Sequence, residues 1–369
     1  MYDDALRLFE KETLYIAGPE CFYTNGYTLW NAMRLQAEYL GFRVVMPSDS
    51  PLDLSHEDLR KNADEIFRNC AKCMNNSTAI LVDLEAFRGS EPDGGSIFEL
   101  GMAYARGLRC YGFTRDKRSI VWKRQGISLR DGAVRDAGGQ VLPYPDLPFS
   151  PAVFGACKIL EGSFQDCLGL LTLDIEQEQK DRVLRPSVPM QKDLPPLRKE
   201  RPVIYLAGPE RYNQDAEAEY AERKRLCREY GFDAVTPLDP ARGEPEDAGE
   251  NLYQRAAGQF CRLQRHVRDC DMILANLNDF RGFEPSTDVS FECGMGFQLG
   301  KKLFGYMNDT RIMKERVPNY GSQREYRDEC GRNAENFDYP INLMFSSSMP
   351  IFKAASFEEA LVQMAAALK

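Results

Sequence analysis

Short, mostly apolar runs alternate along this chain with longer stretches whose hydrophobic residues recur every three to four positions. Thr13–Ala17 is one such run, ending at Gly18-Pro19; a helical pattern follows over Trp30–Leu40, closed by Gly41 as a C-terminal cap. Arg43–Met46 reads as a second strand. After a polar loop and another helix, Ala79–Leu84 is apolar and bounded by turns, as a strand buried on both faces should be. A glycine-bearing loop then leads into a helix over Ser96–Arg106, with a further strand around Cys110–Phe113. Strands and helices alternating at this spacing predict a doubly wound parallel sheet.

The same succession then occurs a second time. Val203–Ala207 ends at Gly208-Pro209, Ala216–Tyr230 is closed by Gly231, and Ala234–Thr236 and Met272–Leu277 are the matching strands. From Phe87 to Phe164 the first copy aligns with the second without a gap. Over Phe87–Asp116 about a dozen of some thirty positions are identical, well beyond chance for a repeat. Between the copies, Ile175–Pro202 is rich in charge and proline and reads as an exposed linker. The expected organisation is therefore α/β, two doubly wound parallel-sheet domains in tandem: a first copy over 1–174, a linker over 175–200 and a second copy over 201–369.

Composition narrows the functional classes. The 369 residues suit two domains, and 43% hydrophobic with 28% charged residues is ordinary for a globular chain. A net charge of −9 supplies no basic face for nucleic acid. No apolar run reaches the roughly 18–20 residues of a membrane span. Met1-Tyr2-Asp3-Asp4 opens no signal peptide, so the expected location is the cytoplasm. The 11 cysteines are an odd number without paired metal-type spacing. Cys70 and Cys73 form a CxxC with no second pair, so free thiols in a reducing compartment are expected and no metal site is.

Candidate chemistry lies where ligands bind an open parallel sheet, outside the carboxyl ends of its strands. Tyr15, the loop after Leu84 and the start of the helix carrying Glu99 all fall at that edge. Glu99 near a first helical turn would be favoured as a carboxylate by the helix dipole. Such a carboxylate can attack a sugar anomeric carbon. Asp93 could protonate a departing base, and Gly94 and Gly95 would let backbone approach a sugar. Each residue also has a structural reading: Glu99 as a helix-end stabiliser, Asp93 as turn chemistry, Tyr15 and Phe87-Arg88-Gly89 as packing. His56 and His266 do not align with each other and read as solvated.

The ordered set of motifs resembles the nucleoside 2-deoxyribosyltransferase family. It comprises Tyr15-x-x-Gly18-Pro19, the Ala79–Leu84 strand, Phe87-Arg88-Gly89, and Asp93-x-Gly95-x-x-x-Glu99-x-Gly101. In the second copy it also includes Pro340-Ile341-Asn342-Leu343-Met344. The resemblance implies a flavodoxin-like subunit that exchanges nucleobases on 2-deoxyribose without cofactor or metal, its partners being small-molecule deoxynucleosides and nucleobases. By resemblance Glu99 is the nucleophile, Asp93 the acid that contacts the base, and Tyr15 the phenol that orients Glu99. An asparagine from a neighbouring subunit completes the family's site. Relatives pair and associate further, so the chain is expected to hold its own pseudo-dimer, with a higher homo-oligomer open.

The copies depart from this pattern in complementary ways. Gap-free alignment sets Phe149 of the first copy against Asn342, with no asparagine nearby. The second copy keeps Tyr205 and Glu292 but has Ser286 at the place of Asp93, with Asp288 displaced by two residues. These losses predict one complete composite site, Tyr15, Asp93 and Glu99 with Asn342, and a vestigial one around Tyr205, Glu292 and Asp288. Gly18, Gly95, Phe22 and Asn69 are further candidates for substrate contact. Phe22 and Tyr23 would stack on a base or pack under the loop. Asn69 stands beside Cys70, where relatives carry a polar residue. Two other functions fit the motifs. One is a 2′-deoxynucleoside 5′-monophosphate N-glycosidase, with Ser346-Ser347-Ser348 receiving a phosphate; the other is a non-catalytic nucleoside-binding protein.

Overall fold

The computed structural model describes residues 12–49, 52–181, 199–242, 251–321 and 326–369. In the first copy, β1 (Thr13–Ala17), α1 (Gly26–Tyr39), β2 (Arg43–Val45), α2 (Leu59–Asn75), β3 (Ala79–Asp83), α3 (Gly94–Arg106) and β4 (Arg109–Thr114) follow the predicted order. A short α4 (Ile120–Lys123), a hairpin of β5 (Ser128–Arg130) and β6 (Ala133–Arg135), α5 (Pro151–Ala156), β7 (Lys158–Glu161) and α6 (Phe164–Asp181) complete it. The second copy repeats the plan with β8 (Val203–Ala207), α7 (Ala216–Glu229), β9 (Asp233–Val235), α8 (Leu252–Asp269), β10 (Met272–Asn276), α9 (Thr287–Gln298) and β11 (Lys302–Met307). It closes with α10 (Met313–Arg316), α11 (Leu343–Ser346), β12 (Ile351–Lys353) and α12 (Phe357–Ala367). Among the described residues, no helix is long and apolar enough to cross a membrane.

Each copy forms a five-stranded sheet, β2-β1-β3-β4-β7 and β9-β8-β10-β11-β12, with every neighbouring pair parallel. Thr-Leu-Tyr-Ile-Ala of β1 and Ala-Ile-Leu-Val-Asp of β3 are buried along their whole length, which is why they read as unbroken runs and not as alternations. The order reverses between β1 and β3, and the crevice outside their carboxyl ends is the ligand site of such sheets. Helix α2 turns Ala63, Phe67, Cys70 and Met74 inward at helical spacing, bringing Cys70 to that crevice.

The two copies share one core across the crossing of α3 and α9. A side chain on Gly101 would come within 2.2 Å of the Phe291 carbonyl, and one on Gly294 within 1.9 Å of the Phe98 carbonyl, so each helix needs its glycine. Other contacts are reciprocal. Ser90 N–H donates to Arg281 O at 3.1 Å and Phe283 N–H to Arg88 O at 3.0 Å. Arg88 Nε reaches Asp328 of the second copy at 3.3 Å, and Arg281 Nε reaches Asp136 of the first at 2.7 Å. Both arginines are left-handed, with φ of 50° and 56°. Each copy also lends the other a loop. Asn333 N–H donates to Phe22 O, and Val141 N–H to Tyr212 O, both at 2.8 Å.

Three expectations change. Helix α6 runs on to Asp181 with Ile175 fully buried, so a boundary at 174 cuts through a packed helix; residues 182–198 of the expected linker lie outside the described residues. Helix α3 begins at Gly94, capped by Asp93, which makes Glu99 its sixth residue and takes it beyond the first turn. His266 is not solvated. It is buried on α8, its ring stacked on Tyr205 and its Nε2 2.9 Å from Asp239 O.

Candidate active site

The carboxyl end of β1 aims Tyr15 at α3, where its hydroxyl donates to Glu99 Oε1 at 2.5 Å. Both side chains are buried, and Cys70 borders the same cavity beside them. Burial pushes the Glu99 carboxyl up to about 8, against the pull of the Tyr15 hydroxyl, while Asp93 adds a smaller push. Burial, the neighbouring Cys70 and Glu99 raise the Tyr15 phenol well above its ordinary value, so it remains a donor. The helix dipole does not set the state of Glu99; its burial beyond the first turn does.

Asp93 caps α3 through Oδ2, which accepts from Ser96 N–H at 2.7 Å and Ser96 Oγ at 2.6 Å. Its Oδ1 is buried without a partner, and burial raises the carboxyl despite the Ser96 bonds. Asn342 arrives from the second copy as the cap of α11, with Oδ1 accepting Met344 N–H at 2.9 Å. A side chain on Gly95 would meet Asn342 Nδ2 at 2.6 Å, so the glycine is what lets the second copy approach α3. Tyr15, Asp93, Gly95, Glu99 and Asn342 all border one cavity of about 110 Å3. That cavity adjoins an outer chamber of about 530 Å3, and Cys21, Phe22, Trp30 and Glu335 border both.

The remaining candidates divide. Gly18 borders the cavity, yet a Cβ there would lie 2.1 Å from Glu20 Oε2, so close packing alone requires glycine. Phe22 borders it while packing on Phe87 at 5.1 Å; Tyr23 borders neither space. Asn69 is a correction. Its amide donates to Pro47 O and it does not line the cavity, because one residue along a helix turns a side chain by roughly 100° and gives the inner face to Cys70. Phe149 is another: Ser150 caps α5 where Asn342 caps α11, so the structural match slips by one residue and the first copy offers serine. Sequence reasoning left Cys70 without a role and did not single out Glu335, which lies outside every shared motif. Ser346 and Ser348 donate to the carbonyls of Ile341 and Phe345, and none of the three serines borders the cavity. Among the described residues, the lining carries three carboxyls, Asp93, Glu99 and Glu335, and no lysine or arginine.

The second site is closed. Tyr205 donates to Glu292 Oε1 at 2.7 Å, as Tyr15 does to Glu99. Arg211, at the place of Cys21, lies across Glu292 with Nη1 and Nη2 each 2.7 Å from a carboxylate oxygen. Leu263 replaces Cys70, and Ser286 caps α9 without a side-chain bond. Asp288, where the first copy has Gly95, accepts from Tyr212 Oη and from Ala152 N–H at 3.3 Å. A cavity of about 120 Å3 remains beside Arg211 and Asp288, but neither Tyr205 nor Glu292 borders it.

Comparison with known proteins identifies the family. The family profile of nucleoside 2-deoxyribosyltransferase matches twice, over residues 14–167 and 204–344. An uncharacterized protein of Schizosaccharomyces pombe is 32% identical over 127 residues; the match spans 33% of this chain and 57% of that protein's length. Among solved structures, a 2-desoxiribosyltransferase from Leishmania mexicana is 30% identical, covering 45% of this chain and 97% of its own with a TM-score of 0.35. A 2-deoxyribosyltransferase from Bacillus psychrosaccharolyticus is 18% identical, covering 33% and 86% with a TM-score of 0.23. With both halves matched, the chain belongs to the nucleoside 2-deoxyribosyltransferase family as a tandem of two copies.

Proposed function

We propose that the protein moves 2-deoxyribose from one nucleobase to another at a single composite site, through a covalent ester on Glu99. The observation that carries this reading is that Glu99, hydrogen-bonded to Tyr15, opens onto a cavity, while its twin Glu292 is sealed by Arg211. A Glu99 carboxylate oxygen forms a bond to C1′ as the C1′–N bond breaks and its electron pair leaves on the base. The proton that neutralises the base comes from Asp93, whose carboxyl is held up by burial. An acceptor base then attacks C1′ from the side the first base left, returning its N–H proton to Asp93 and freeing the carboxylate. Two displacements give net retention. Asn342 holds the hydroxyl end of the sugar.

A nucleoside substrate is favoured over a 5′-monophosphate because three carboxyls and no cation line the cavity among the described residues. The test is chromatography of protein with deoxyinosine, with and without adenine. A new deoxynucleoside formed only with acceptor, lost by at least about a thousandfold in Glu99→Gln, roughly 4 kcal/mol of barrier, and retained in Glu292→Gln, is the expected result. Free hypoxanthine at one rate regardless of acceptor would favour hydrolysis, and binding without any product a non-catalytic role.

A further inference from the structure

Glu335 is the one carboxyl in the cavity lining that the bond exchange does not use. It comes from the second copy's loop ahead of α11. Its Oε2 accepts Leu343 N–H at 2.9 Å, the residue directly after Asn342, so the two side chains stand on one wall. No cation lies within ion-pair distance of it among the described ion pairs, and the nearby Arg88, which does not border the cavity, faces Asp328, Glu284 and Asn333 O. In the reciprocal loop of the first copy, Pro143 occupies the matching place beside the closed site. The carboxyl therefore occurs only beside the open site.

We propose that Glu335 is a specificity-determining residue that restricts the site to deoxynucleosides with a free 5′-hydroxyl. It accepts a hydrogen bond from that hydroxyl, and it fills the end of the cavity where a 5′-phosphate would need a cationic or amide donor and would meet an acid instead. The inference rests on the reading above, in which C1′ meets Glu99 and the hydroxyl end of the sugar meets Asn342. A phosphate at that end would enter a space walled by acids with its hydration removed, and no basic side chain among the described lining residues replaces it.

The experiment compares kcat/KM for deoxyinosine and deoxyinosine 5′-monophosphate in the parent and in Glu335→Gln, with the inhibition constant of the monophosphate against base exchange. Glutamine keeps the shape and can still accept Leu343 N–H. The preference for the nucleoside should fall at least about tenfold, close to 1.4 kcal/mol of discrimination, and the monophosphate should inhibit more tightly by a similar factor. Glu335→Ser, which also removes the charge, should move both in the same direction. An unchanged preference, or equal losses on both substrates, would mean that Glu335 only braces α11 and would overturn the proposal alone. A parent protein that leaves deoxyinosine untouched would overturn the underlying reading and this proposal with it.

Discussion

The two halves of this molecule hold the same tyrosine–glutamate pair in the same fold and put it to opposite uses. In the first copy Glu99 has the Tyr15 hydroxyl as its donor and no basic partner among the described ion pairs, and burial lifts its carboxyl to about 8. In the second, Glu292 lies under the Arg211 guanidinium in a bidentate pair, with little of the arginine side chain left exposed. The same contrast recurs one position earlier. Glu210 is paired with Arg223 at 2.7 Å and hydrogen-bonded by Asn276, whereas Glu20 faces Asp83, and burial followed by that neighbour pushes it up to about 8. The open site thus carries buried, poorly paired acids, and the closed one has its charges matched. A reactive carboxylate and a well-paired carboxylate are incompatible uses of one position.

The sharpest way to break this comparison is to replace the residues at Cys21 and Arg211. Cys21→Arg should place a guanidinium on Glu99 and lower base exchange at least about a hundredfold, near 2.7 kcal/mol of barrier, measured by chromatography. Arg211→Ala strands a buried carboxyl and should cost about 3–5 kcal/mol of stability in denaturant melts while leaving exchange in place. Should Cys21→Arg exchange bases at the parent rate, open access to Glu99 would not be what separates the sites.

Asn342→Ala should lower kcat/KM for deoxyinosine by about ten- to a hundredfold, the loss of one or two hydrogen bonds to substrate. Ser150→Ala, its counterpart beside the closed site, should change kcat/KM by less than about twofold. Equal effects would remove the case for one composite site.

The smallest effect is on pH dependence. Glu99 is raised when folded, so its contribution to stability is complete below the ordinary glutamate range and is lost as pH rises toward about 8. Glu99→Gln keeps the Tyr15 bond without that loss. It should melt a few degrees above the parent at pH near 8–9, with the gap closing toward pH 5. A gap that widened toward acid would contradict the assigned direction.

Much of this was legible in the chain because it depends on local pattern. The unbroken apolar runs of β1 and β3, and the spacing that sets Glu99 behind Asp93, are properties of a few adjacent residues repeated twice. The repeat also served as its own reference, so the absence of an asparagine opposite Asn342 and of an aspartate at Ser286 could be read directly. Tertiary structure alone decided the rest. Whether Asn69 or Cys70 faced the site turned on helical phase, and burial rather than the helix dipole set the state of Glu99. The closing of one site by Arg211, and the reach of Glu335 across to the other, depend on side chains meeting over long sequence separations. Such meetings follow from how two sheets pack through α3 and α9, which no local pattern specifies.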